Sequence, residues 1–133
     1  MPVYTCTTTA STLSSDTKAA LAGEIAAIHS AINHVPSPYV SVVFHELPDD
    51  NVYSGGIPAN QVLVSAWVRE GHPDTEVTRL ATVIAAAVTR IARVPVEQVT
   101  VLIQPGPARF AVEFGRVLPE PGEEDAWSAQ GQG

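Results

Sequence analysis

An α+β fold is predicted, in which two fused βαβ units form one four-stranded sheet with both helices on one face. Three observations predict it. The chain repeats itself without gaps when slid by 59 positions, Val3 falling on Val62, Leu21 on Leu80 and Val101 on Val42. Each half sets an apolar helical stripe between two β-branched runs, and the second run of each half is apolar on both faces.

The first strand is Val3 to Thr9, β-branched and rich in threonine. Leu21, Ile25, Ile28 and Ile32 then step by 4, 3 and 4, the spacing of one helix face. Ser14, Ser15 and Asp16 are capping candidates at its start, and Pro36 and Pro38 forbid its continuation. A strand at Val40 to His45 completes the first half. The second half repeats the pattern with a strand at Gln61 to Arg69, a helix from Asp74 to Arg93 carrying Leu80, Ile84, Ala87 and Ile91, and a strand at Val99 to Gln104. Shared Val-Pro and Val-x-Val matches outside the helices (Val35-Pro36 with Val94-Pro95) argue for duplication rather than chance likeness of two alanine-rich helices. The expected organisation is a single domain over 1–127, with repeats at 1–58 and 59–115 and a C-terminal segment at 116–127, followed by a frayed polar tail at 128–133.

Short right-handed crossovers put both helices on one face of the sheet. The other face still carries apolar side chains, since Val40, Val42 and Phe44 alternate with Ser41, Val43 and His45, and Val99, Val101 and Ile103 with Thr100, Leu102 and Gln104. Burial against copies of the chain is therefore expected.

Composition narrows the partners. Fourteen acidic against seven basic residues, with a net charge of −7, leave no basic stripe for nucleic acid or for anionic membrane. No uncharged apolar stretch approaches the roughly 18 residues of a membrane span, and the N-terminus has no basic leader or apolar signal core. With one cysteine, Cys6, the chain is expected in a reducing cytoplasm, the thiol packed within its strand. His29, His34, His45 and His72 lack metal-ligand spacing, so no metal site is expected.

Pro2 is the candidate for chemistry. Methionine is commonly removed before a small second residue, which here leaves a secondary amine at a strand end. Burial lowers such an amine below its ordinary value of about 7.7 to 8.0 and suits it to general acid–base work. If the halves are related by a two-fold axis and their first strands pair antiparallel with full overlap, residue i faces residue 71 minus i, and Pro2 lies across from Arg69.

On Pro2-Val-Tyr4, Asn51-Val-Tyr-Ser-Gly-Gly56, Arg69-Glu-Gly71 and Glu113-Phe-Gly-Arg-Val-Leu-Pro-Glu-Pro-Gly122, the sequence resembles the cis-3-chloroacrylic acid dehalogenase family of the tautomerase superfamily. The resemblance covers nearly the whole chain. It implies a tautomerase-like fold, a homotrimer, no cofactor, and a small carboxylate as substrate. Pro2 matches the catalytic proline, His29 and Arg69 match residues that hold the substrate carboxylate, and Glu113 matches a carboxylate that activates water. Two positions depart from the pattern. His72 stands where the dehalogenase has a second arginine, and Leu102 where it has a tyrosine beside the water. Histidine lacks arginine's permanent charge and planar fork, and leucine cannot polarise water. The expected activity is therefore tautomerisation of a small 2-oxo or enol carboxylate of the phenylpyruvate kind. The alternatives are a weak cis-3-haloacrylate dehalogenase or hydratase, and a trimeric pseudoenzyme or binding scaffold. Singly, each residue also has an ordinary role: His29 as an edge of the apolar stripe, Arg69 as a solvated strand end, Glu113 as surface. Only in combination do they form one device.

Overall fold

The computed structural model describes residues 1–131. The strand β1 (Val3–Thr9) leads to α1 (Ser15–Asn33) and β2 (Ser41–Leu47). A small hairpin follows, of β3 (Tyr53–Ser54) and β4 (Ile57–Pro58). The second unit is β5 (Val62–Arg69), α2 (Asp74–Ala92) and β6 (Val99–Gly106). A second small hairpin, β7 (Val112–Glu113) with β8 (Arg116–Val117), precedes the C-terminal helix α3 (Glu124–Gly131). The four long strands form one sheet in the order β2-β1-β5-β6, parallel within each unit and antiparallel where β1 meets β5. This is the fold expected from the duplication.

Local chemistry sets the helix ends. The Ser14 hydroxyl accepts the Thr17 N–H at 3.1 Å and caps α1. His34 ends α1 in the left-handed region at φ 59°, its N–H bonded to the Ser30 carbonyl, and Arg93 ends α2 in the same left-handed region at φ 56°. The two caps are 59 positions apart, as the repeat requires. Leu21, Ile25, Leu80, Ile84 and Val88 bury their side chains against Tyr4, Cys6, Val64, Ala66 and Val68 on the sheet. Cys6 is fully buried, which pushes its thiol up to about 11 and makes it a packing residue rather than a nucleophile.

The pairing of β1 with β5 corrects the expected register. Thr5 faces Ser65 and Cys6 faces Val64, so paired residue numbers add to 70, not 71. The reason lies in the turns before the helices. Residues 10–14 make a five-residue link from β1 to α1, with Ser11 at φ 70°, whereas residues 70–73 make a four-residue link from β5 to α2. The extra residue shifts the first strands to an offset of 60 while the helices keep 59, and an even offset requires an even sum. Only the even sum brings Tyr4 opposite Ala66 and Cys6 opposite Val64, all on the helix side; a slip of one would turn one set outward. Continued beyond Val3, the register sets Pro2 level with Val68 and Met1 level with Arg69.

The same parity sorts the apolar residues of β2 and β6. Val42, Phe44, Val101 and Ile103 pack against the helix-covered core, so they do not mark an interface. Val43, Thr5, Ser65 and Leu102 form one cross-strand row on the uncovered face, where Val3, Val43, Leu63 and Leu102 are exposed.

The C-terminal region departs from expectation. Ser128–Gly131 belong to α3 instead of fraying, and the Ser128 hydroxyl bonds the Tyr39 hydroxyl at 2.9 Å; residues 132–133 of the expected tail lie outside the described residues. A second cluster, of Met1, Val35, Ala108, Leu118 and Trp127, is built by this region.

Candidate active site

The site forms where β1 begins and β5 ends. Pro2 is buried, and its carbonyl accepts the Ser41 N–H at 3.1 Å, which ties the start of the chain to β2. Ahead of it, the amine of Met1 donates to the Tyr39 carbonyl and lies 3.5 Å from Glu113 Oε1 on β7. Burial lowers the basicity of this amine, and the attraction of Glu113 opposes that only in part. The other oxygen of Glu113, Oε2, is buried without a hydrogen-bond partner. A carboxylate in that condition is poised to accept from something not part of the chain.

Arg69, the last residue of β5, is only 5% exposed. The chain after it turns at Gly71, at φ 116°, where the absence of a side chain lets Pro121 pack close by. The C-terminal segment thereby reaches the guanidinium, which donates through Nη1 to the Pro119 carbonyl at 2.6 Å and through Nη2 to Glu124 Oε1. Burial alone would raise Glu124, but the hydrogen bond from Arg69 and the backbone amides hold it below the usual carboxylate range. A guanidinium offers five donors, of which two are engaged by these contacts.

His29 reaches the site from α1 and is 2% exposed. Its Nδ1 shares a 2.8 Å hydrogen bond with the Tyr4 hydroxyl, and Asn33 Nδ2 stands 3.4 Å from Nε2. With the Asn33 amide donating, the proton sits on Nδ1 and the tautomer is set by the protein. Burial, together with the positive charges of the terminal amine, His72 and Arg69, lowers His29 to about 3, so the ring is neutral at physiological pH. Burial likewise raises the Tyr4 hydroxyl far above its ordinary value and keeps it protonated.

The His29 shift sets a pH dependence of stability. The native ring stays neutral down to about 3, while the unfolded ring takes a proton below about 6.5, so stability is complete above 6.5 and is lost as pH falls toward 3. We expect the loss attributable to this residue to be on the order of 5 kcal/mol across that window. Urea unfolding at pH 7 and pH 4 should show it, and His29→Gln should have a visibly flatter profile; identical profiles would show that the ring charges freely in the folded state.

The structure thus brings Pro2, His29, Arg69 and Glu113 to one end of the sheet. His72 joins its edge, bonded to Glu76 at 3.3 Å, with its charge felt at His29. Leu102 is not brought there. It is 63% exposed on the uncovered face, whereas His29 and Tyr4 lie on the helix side, so within one chain the sheet separates them. Reading the sequence alone missed Tyr4, Asn33, Tyr39 and Glu124. Asn33 had a signal, its i+4 spacing from His29; the Glu124 contact crosses 55 positions and had none. Among the described residues no group of three or more His, Cys, Asp or Glu could hold a metal ion, and no helix is long and apolar enough to cross a membrane.

Comparison with known proteins decides the family. The sequence matches, over residues 1–132, the family described as "Putative oxalocrotonate tautomerase enzyme". The chain belongs to this tautomerase family. Its backbone superposes with a TM-score of 0.92 on N1, a member of the cis-3-chloroacrylic acid dehalogenase family, at 29% identity over 96% of this chain and 90% of that one. The F6 fused 4-OT wild type asymmetric trimer matches at TM-score 0.81 and 17% identity, covering 86% and 94% of the two chains, and Pt0534 inactivated by 2-oxo-3-pentynoate at 0.80 and 20%, covering 87% and 94%. These two likenesses establish the fold alone. No curated protein matches the sequence. The resemblance to the dehalogenase family expected from the Pro2, Arg69 and Glu113 segments extends, in N1, over 96% of the chain.

Proposed function

We propose that this tautomerase-family chain moves a proton on a small 2-oxo or enol carboxylate, using Pro2 as its base and acid once Met1 is removed. The observation that carries the reading is the buried chain start. An amine there has lowered basicity, faces Glu113, and lies within the field of a buried Arg69.

In ketonisation of an enol acid, neutral Pro2 takes the hydroxyl proton to give the enolate, and the resulting ammonium returns a proton to the adjacent carbon. The O–H bond breaks, a C–H bond forms, and no redox partner or cofactor is required. Arg69 receives the substrate carboxylate on its remaining N–H groups while Pro119 and Glu124 hold the fork in place. His29, being neutral, contributes a hydrogen bond and not a charge; to do so it must release Asn33 and take the other tautomer, Nδ1 accepting from the Tyr4 hydroxyl and Nε2–H donating to the carboxylate. N-terminal mass spectrometry tests the premise, because a retained Met1 blocks the amine. Turnover of phenylenolpyruvate tests the chemistry, and 2-oxo-3-pentynoate, the inactivator of Pt0534, should add covalently at Pro2. If Met1 is removed and both enol acids and cis-3-haloacrylates still go unchanged, the chain is a binding scaffold.

A second reading is favoured by one feature, the unpartnered oxygen of Glu113, which is suited to activating water for hydration or dehalogenation of a cis-3-haloacrylate. Leu102 and His72 weaken it, since neither orients water nor adds a permanent charge. Slow chloroacrylate hydrolysis beside fast ketonisation is the expected outcome.

The exposed apolar side chains of Val3, Val43, Leu63 and Leu102 on the uncovered face support a homotrimer in which each sheet is covered by another copy, the route by which Leu102 would approach a site. Val43→Asp or Leu102→Asp should then dissociate the assembly, because an unpaired buried charge costs several kcal/mol. Light scattering of the wild type showing monomer at micromolar concentration would refute the trimer.

A further inference from the structure

Met1 is 2% exposed and clusters with Val35, Ala108, Leu118 and Trp127, against which Tyr39, Trp67 and Ala111 pack. Four separate segments supply the first four of these walls: the link after α1, the turn after β6, the chain after β8, and α3. Their meeting place is a residue that, on the reading above, the mature protein does not keep. The walls are held without it. Trp127 donates Nε1–H to the Val117 carbonyl at 2.8 Å, its ring lies under Arg116, whose Nη1 is spent on the Trp127 carbonyl, and the Leu118 N–H bonds the Ala111 carbonyl at 3.0 Å. An apolar hollow fixed in this way stays dry and takes apolar ligand atoms in preference to water.

We propose that removal of Met1 opens a pocket beside the Pro2 nitrogen that receives the substrate's substituent, and that its shape selects 2-oxo acids bearing an unbranched apolar chain about as long as a methionine side chain. This rests on Pro2 being the catalytic amine. The one guanidinium described against these walls, Arg116, is engaged by the Trp127 ring and carbonyl, so a second carboxylate at the far end of the substrate would have to compete for it and is disfavoured. The substrate class is therefore a monocarboxylic 2-oxo acid in place of a dicarboxylic one.

Deuterium uptake at C3 in D2O, followed by NMR, reads the preference directly on protein whose N-terminus has been verified as Pro2. Along pyruvate, 2-oxobutanoate, 2-oxopentanoate and 2-oxohexanoate, kcat/KM should rise about fourfold per methylene, and 2-oxohexanedioate should fall at least about 100-fold below 2-oxohexanoate. Ala108→Leu, which fills the hollow, should collapse the ratio of 2-oxohexanoate to pyruvate; Leu118→Ala, which enlarges it, should move the optimum to a longer chain. A flat series, or a diacid handled as well as the monoacid, overturns the pocket while leaving proline catalysis standing. Exchange that is absent throughout, or indifferent to Pro2→Ala, overturns that reading and the pocket with it.

Discussion

Pro2→Ala should lower kcat for ketonisation of phenylenolpyruvate by about 100-fold, with the melting temperature nearly unchanged. A positioned general base and acid contributes roughly 10²- to 10⁴-fold. The variant retains a terminal amine after processing, so it keeps part of that range. What it loses is the ring, which fixes the nitrogen's direction at the start of β1, where the Pro2 carbonyl is anchored to Ser41. The more mobile primary amine spends less time in line with the substrate proton, and positional error near 1 Å can cost about 100-fold. The pH–rate profile offers an independent check. Burial lowers an amine at this place, so activity should persist on the acid side of the ordinary α-amino value, falling as pH drops through the lowered value and the base becomes protonated. A profile that begins only above pH 8 would mean that the amine is solvated and that burial does not tune it.

Arg69→Ala should cost about 10- to 150-fold in kcat/KM for the same substrate, the worth of roughly 1.5 to 3 kcal/mol for a charge-assisted hydrogen bond. It should also destabilise the fold, because Glu124 and the Pro119 carbonyl lose the guanidinium that satisfies them. The two effects separate in the double variant Arg69→Ala with Glu124→Ala. Removing the orphaned carboxylate recovers part of the stability, as expected when an uncompensated charge is taken away, and recovers none of the turnover. Turnover that returns together with stability would assign Arg69 a purely structural role at the junction with the C-terminal segment.

The helices of this protein were legible in its sequence because their cause is local. The steps Leu21, Ile25, Ile28 and Ile32, and the matching Leu80, Ile84 and Ala87, state a helix face within a few turns, and the caps near Ser14 and before Pro36 state its limits. The duplication, being a statement about the chain against itself, then supplied the strand order and the placement of both helices on one face. Pro2 was legible for a similar reason, since its chemistry depends on its position in the chain.

Tertiary structure decided whatever depended on parity or on contacts between distant segments. One extra residue between Thr9 and Ser15 makes the β1–β5 sum even, 70 where an odd 71 is expected; a gap-free comparison of the helices passes over it, although the burial of Tyr4 and Cys6 depends on it. The same alternation sends Val42 and Val101 to the core and Leu102 to the uncovered face, a choice the doubly apolar strands leave open. α3 has little hydrophobic patterning of its own. It is placed by the Trp127 ring packed in the second cluster and by Glu124 on the Arg69 guanidinium. A short polar helix with no apolar stripe has no periodicity to announce it, and a salt bridge spanning 55 positions leaves no trace in local sequence, because its energy exists only after the sheet has brought the end of β5 to the surface on which the C-terminal segment folds.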